Sequence, residues 1–132
     1  MLIVPGSDAL TEPYWEGARQ EKLLIQRCRQ CAHRWHPPAP ICPACQKKDY
    51  EWEAMSGRGE VFSFTVVHHA AHRAVAEKVP YLVALVTLDE GPRLVSNILD
   101  CPIDAVHIGM RVIVAYQEIA EGIVLPQFVP DR

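Results

Sequence analysis

Residues 28–45, CRQCAHRWHPPAPICPAC, decide how this chain is read. They hold two C-x-x-C pairs, Cys28/Cys31 and Cys42/Cys45, with ten residues between them. A C-x-x-C turn sets two thiolates on one side, and a second such turn across a hairpin completes the tetrahedron that zinc takes. Four cysteines leave no open coordination position, so the centre would be structural. Tetrahedral sulfur also suits iron in an electron carrier. Redox disulfides are a third reading, although thioredoxin-type chemistry needs only one such pair. The HPPAP run between the pairs is a loop, because Pro37, Pro38 and Pro40 remove backbone donors and fix φ. A segment this small has no core of its own, and a metal takes the place of one.

The surroundings favour the metal. The chain has 132 residues, of which 49% are hydrophobic and 11 are Pro, which suits one domain or two very small ones made of short elements and turns. No apolar run is long enough to span a membrane. The opening MLIVPGSDALTEPYW lacks the basic and apolar regions of a secretory signal. A cytoplasmic location is expected, and in that reducing setting clustered cysteines bind metal more often than they form disulfides.

Charge is unevenly spread. Arg27, Arg29, Arg34, Lys47 and Lys48 fall in one window with no acidic residue. A zinc tetrathiolate contributes −2, leaving roughly +3 there. From Ala54 onward six Lys/Arg face nine Asp/Glu, and the whole chain is at −3. A basic module beside an acidic one can meet phosphates, of a cofactor or of a polynucleotide.

Residues 11–22, TEPYWEGARQEK, predict a short helix with Thr11 as N-cap and Pro13 in the first turn. Tyr14, Trp15 and Ala18 share one side, either packing on their own domain or anchoring a partner. Gly17 weakens the helix, which then needs a surface to lean on. KLLIQRC predicts a strand into the first cysteine pair. After the SGRG turn come GEVFSFTVVHH, PYLVALVTLDEG and PRLVSNIL, then a CPIDAVHIG connector with one helical turn, then MRVIVAYQEI and GIVLPQFVP. Pro126 marks an edge or a bulge. Five strands with a connector after the third fit the five-stranded Greek-key barrel called the OB-fold; a sandwich is the competing architecture. Phe62, Phe64 and Tyr81 read as core.

No catalytic set is visible. G-x-S-x-G, the P-loop and G-x-G-x-x-G are absent, and the carboxylates are scattered. His68, His69 and His72 lack the Glu of H-E-x-x-H and read as solvated loop residues. His33 and His36 lie inside the ribbon, where four thiolates already complete a site. Cys101 reads as packing. A binding or accessory protein, not catalytic alone, is the reading that remains.

The run W-E-x5-K-L-L-I-Q-R-C-x-x-C, then H-P-P-x-x-I-C-P-x-C, S-G-R-G-E-V-F-S-F-T-V-V, P-Y-L-V-A-L-V-x-L-D-E-G-P-R and I-G-M-R-V resembles the small acyl-CoA-associated proteins built from a rubredoxin-like zinc ribbon and an OB-fold. The resemblance covers about residues 12–130. It differs at Ala32 and Gln46, where family ribbons often carry Gly after the second Cys of each pair. It implies a mostly β fold: an N-terminal helical segment (1–22), a zinc ribbon (23–50) and an OB-fold domain (51–132). It implies structural zinc on Cys28, Cys31, Cys42 and Cys45. It also implies an accessory role: binding a thiolase-type enzyme (thiolase, ketosynthase-like or aldolase-like, in some cases a hydratase) and helping to form its coenzyme A thioester site, with a two-plus-two assembly by analogy with dimeric thiolases. Arg27, Arg29, Arg34 and Lys47 are then candidates to flank the phosphates of coenzyme A. The alternative is a nucleic-acid-binding zinc-ribbon/OB module, which would need a basic groove with stacking aromatics.

Overall fold

The computed structural model describes residues 8–68 and 80–131. One helix, α1 (Glu12–Arg19), leads into a three-stranded antiparallel sheet of β1 (Leu23–Cys28), β2 (Arg34–Trp35) and β3 (Tyr50–Met55), in the order β2-β1-β3. Five further strands follow: β4 (Arg58–Val67), β5 (Tyr81–Leu88), β6 (Arg93–Ser96), β7 (Arg111–Ala120) and β8 (Ile123–Pro130). They form a second sheet in the order β6-β5-β4-β7-β8. The connector after β6 carries the expected helical turn, at Ile103–Ala105.

The second sheet curls until its two edges meet. A parallel bridge joins Ile98 to Phe128. Around it, Phe128 N–H donates to Asn97 O at 3.0 Å and Leu99 N–H to Phe128 O at 2.7 Å. The Ser96 hydroxyl donates to Pro126 O at 2.9 Å. Pro126 has no N–H to lose at that edge. The sheet is a curled half-barrel, and inward residues of β5 alternate strictly: Leu82, Ala84, Val86 and Leu88 are buried.

Helix, ribbon base and barrel share one core. Tyr14 of α1, Leu23 and Ile25 of β1 and Met55 of β3 pack with Val61, Leu82, Val86, Leu94, Val112 and Phe128 of the barrel. Burying that apolar surface is the main stabilising term, at roughly 25 cal/mol per Å² removed from water. The ribbon therefore cannot swing independently at its base. Polar ties reinforce the junction: Ser56 N–H donates to Glu90 Oε2 at 2.7 Å, and Arg34 reaches Glu90 O at 3.5 Å.

The helix leans on a surface, as Gly17 requires. A Cβ at Gly17 would lie 2.8 Å from Leu24 Cδ1 and 3.0 Å from Lys22 O, so a side chain there would push Leu24 out of its place between α1 and β1. Arg19 binds Glu12 and Glu16, each at 2.6 Å, and donates to Gly122 O in the β7–β8 turn. Thr11 stands at the N-cap position, but its side chain does not cap the helix. Instead the Asp8 carboxylate accepts from Thr11 N–H at 2.9 Å, one turn earlier than the sequence suggested.

Two more expectations need correction. Phe62 and Phe64 are not core: they are 47% and 37% exposed. A bulge between Val61 and Ser63 takes Phe62 out of the alternation of β4, while Phe64 stands opposite the buried Ala84 but in the part of β4 that β7 does not cover. Tyr14 and Trp15, by contrast, pack within their own domain, with Tyr14 buried and Trp15 edge-on to it at 4.9 Å.

His36 sits between helix and ribbon, its ring 5.2 Å from that of Tyr14. Burial holds its imidazole down to about 4. The folded state therefore keeps it neutral while the unfolded chain, near the usual 6.5, takes up a proton first. Stability from this source is complete above pH 6.5 and is lost as pH falls towards 4. Replacing His36→Phe should remove about 2–3 kcal/mol of that acid-side loss. Urea midpoints of both proteins across pH 7.5 to 4.5 check this, and parallel curves would contradict it.

Candidate metal centre and its surroundings

The two C-x-x-C turns converge. Sγ atoms of Cys28, Cys31, Cys42 and Cys45 all lie within 4.8 Å of one another. Cys28 and Cys45 approach to 3.5 Å, and Cys31 and Cys42 to 3.6 Å. A zinc ion with sulfurs at about 2.3 Å would separate them by about 3.8 Å. The spacing fits.

Backbone geometry explains the convergence. Each turn closes with an N–H four residues on: Ala32 N–H to Cys28 O at 3.0 Å, Gln46 N–H to Cys42 O at 2.8 Å. Both Ala32 and Gln46 adopt φ of +65°, the left-handed region where family ribbons often place glycine. The geometry is kept and the strain is accepted. N–H groups of Gln30 and Cys31 point at Cys28 Sγ, at 3.3 and 3.5 Å.

Electrostatics favour a cation. The Cys31 N–H holds the Cys28 thiol down to about 7. Cys45 goes the other way, to about 12: the Lys47 N–H lowers it, but burial and the thiols of Cys28, Cys31 and Cys42 together prevail. Cys42 is lowered and Cys31 raised. Four thiols this close cannot all ionise by themselves, whereas a divalent ion lets them.

A small apolar shell backs the sulfurs. Trp35 packs on Cys28 and Cys42, with Ala39 and Tyr50 beside them. Gln26, fully buried, fastens the proline loop: its amide donates to Ala39 O at 2.9 Å and accepts from Ala39 N–H at 2.8 Å. The sequence offered no sign of this role beyond a polar residue inside an apolar strand.

The basic window is largely neutralised from β3 and the residue before it. Arg29 pairs with Asp49 at 2.9 Å, Arg27 with Glu51 at 3.3 Å, and Arg34 with Glu53. These three acids begin one residue past the window, and counting them takes the formal +3 to zero. Their alternation in DYEWE, opposite β1, was the missed signal. Lys47 and Lys48 are exposed and make no ion pair among the described residues. His33 is exposed, His68 is exposed, and His69 and His72 lie outside the described residues. Cys101, partly buried, packs on the barrel core. The exposure of Phe62 and Phe64 removes one objection to nucleic acid, so that the weight against it rests on charge.

Fold and centre define a protein of the zinc-ribbon-plus-OB class. The family models that match are "ChsH2, rubredoxin-like zinc ribbon domain" over residues 15–51 and "ChsH2, C-terminal OB-fold domain" over residues 52–117. The chain belongs to this ChsH2/DUF35 family. A "probable enoyl-CoA hydratase alpha subunit" of Thermomonospora curvata is 42% identical over 89% of this chain, which spans only 36% of that relative's length. A "DUF35 domain-containing scaffold protein" of Methanocaldococcus jannaschii is 34% identical over 86% of this chain and 82% of its own. Among solved structures, a chain of "Ltp2-ChsH2(DUF35) aldolase" superposes with a TM-score of 0.86 at 40% identity, covering 96% of this chain and 98% of that one.

Ala32→Gly and Gln46→Gly should each stabilise the metal-loaded protein by about 0.5–1 kcal/mol, since the strain of a left-handed residue exceeds the entropy glycine costs. Thermal midpoints measured in excess zinc check this; a fall at both positions would contradict it.

Proposed function

We propose that this chain is a non-catalytic accessory subunit that binds a thiolase-type acyl-CoA enzyme and completes its coenzyme A thioester site, with Cys28, Cys31, Cys42 and Cys45 holding one structural zinc. The observation that carries the reading is the match along nearly its whole length to the ChsH2(DUF35) chain of an aldolase assembly. The names of the other relatives, a hydratase subunit and a scaffold, fit a part that works inside a complex. The hydratase name favours a hydratase-type partner as the second reading.

The chemistry of this chain supports such a role. The sulfurs are fully committed to one tetrahedron, so the ion would polarise no substrate. Its contribution is to hold the ribbon rigid, so that whatever the ribbon presents is presented without an ordering cost. Of the four residues suggested for coenzyme A phosphates, Arg27, Arg29 and Arg34 already serve internal ion pairs. Lys47 remains, with Lys48 beside it. A two-plus-two assembly is the stoichiometry proposed.

The test is recovery of the tagged chain from its own host, with mass spectrometry of what accompanies it and a zinc assay on the same sample. A thiolase-fold enzyme with about one zinc per chain is expected. A lone monomer, or nucleic acid, would overturn the reading. In the recovered complex, Lys47→Glu should raise KM for the coenzyme A thioester several-fold with kcat little changed. An equal effect of Arg29→Glu without loss of zinc would move the phosphate contact to the arginines.

A further inference from the structure

Strand β4 is ten residues long, but its neighbours cover it unequally. β5 pairs with it from Gly59 to Val67. β7 pairs only with Arg58–Glu60. Two more backbone bonds, Val61 N–H to Met110 O and Gly109 N–H to Val61 O, end that side. From Phe62 to Val67, no described residue pairs with β4 on the side away from β5. In an antiparallel ladder every second residue turns its N–H and C=O to that side.

Native sheets guard an open edge with Lys, Pro or inward-pointing charge. This edge reads FSFTVV, with no charge and no Pro, and it is rich in aromatic and β-branched residues. Large apolar side chains remain exposed around it: Phe62, Phe64, Val95 (68%) and Ile108 (69%). Val95 pairs with Leu85, which pairs with Ser63, so it lies on the outer face, whereas Phe64, opposite the buried Ala84, turns to the other face. Ile108 immediately precedes Gly109, which is bonded to Val61. The Arg93 guanidinium lies 3.9 Å from the Phe62 ring centroid.

We propose that the edge of β4 from Phe62 to Val67 receives an extended segment of the partner enzyme subunit, which adds a strand to the barrel sheet. This rests on the accessory-subunit reading above. Main-chain hydrogen bonds would supply the register, with Phe64 selecting side chains on one face of the added strand and Phe62 and Val95 on the other. The added segment is apolar at alternate positions, because residues 62–67 themselves carry no charge; the Arg93 guanidinium beside Phe62 is the one cation lying against this edge among the described residues. A second copy of this chain suits the edge less well. The open stretch is six residues, cut short by the bulge at Phe62, and two copies paired along it would bury far less than the roughly 800 Å² per partner of a stable interface. A strand from a larger subunit is free of that limit, since its other contacts lie elsewhere.

Hydrogen exchange on the isolated chain and on the complex recovered with its partner subunit tests this. Amides within residues 62–67 that exchange freely in the isolated chain should slow at least tenfold in the complex. Phe64→Lys should lower the assembled fraction at least tenfold with zinc content and circular dichroism unchanged, whereas Ile41→Lys, at another exposed apolar position, should assemble like wild type. Should Phe64→Lys fail to fold, the exchange measurement on wild type decides alone. A complex that forms with residues 62–67 unprotected overturns the edge proposal and leaves the accessory reading standing. Absence of any complex with the wild type overturns both. Protection already present in the isolated chain, as monomer or as homodimer, also overturns the edge proposal.

Discussion

Two tight turns bring four sulfurs within 4.8 Å of one another, and this convergence governs the rest of the ribbon. Four thiols at that distance resist joint ionisation, so the arrangement is poised for a divalent cation. With the sulfurs fixed, β2 has only two residues of ladder to hold, and Trp35 can close over Cys28 and Cys42. The proline loop is then tied down by a single buried amide, that of Gln26. None of these contacts is large enough to order the segment alone. They become useful because the loop they close is already short and constrained.

The ribbon's rigidity matters because its base belongs to the barrel core. Leu23, Ile25 and Met55 pack with Val61, Leu82 and Phe128, and α1 seals the seam through Tyr14 and the close approach at Gly17. The ion pairs of Arg27, Arg29 and Arg34 with Glu51, Asp49 and Glu53 add orientation more than stability, because exposed pairs contribute little. What remains outward is specific: two lysines at the metal-side tip and an apolar, uncharged edge on β4. Both suit a module that works by fitting against another protein.

Much of this was legible in the sequence. The cysteine spacing marked the ribbon, and turn residues with β-branched runs marked all five barrel strands and the helical turn at Ile103–Ala105. What escaped has physical causes. The bulge at Phe62 shifts the facing of the strand by one residue, and no periodicity in FSFTVV announces it. The arginines read as basic because their partners lie on a strand that pairs in space, beyond the end of the window. Thr11 had the right composition for a cap, but Asp8, one turn earlier, had the better reach. Gln26 resembled any strand polar residue, since its partner is a backbone amide thirteen positions away.

The central claim is that a bound zinc, and not the local contacts, orders residues 28–50 while the barrel stands on its own core. Hydrogen exchange before and after stripping the metal with a chelator measures this directly. Loss of protection in residues 28–50, with β5, β7 and β8 still protected, is the predicted result. Unchanged protection throughout, or collapse of the barrel together with the ribbon, would contradict it.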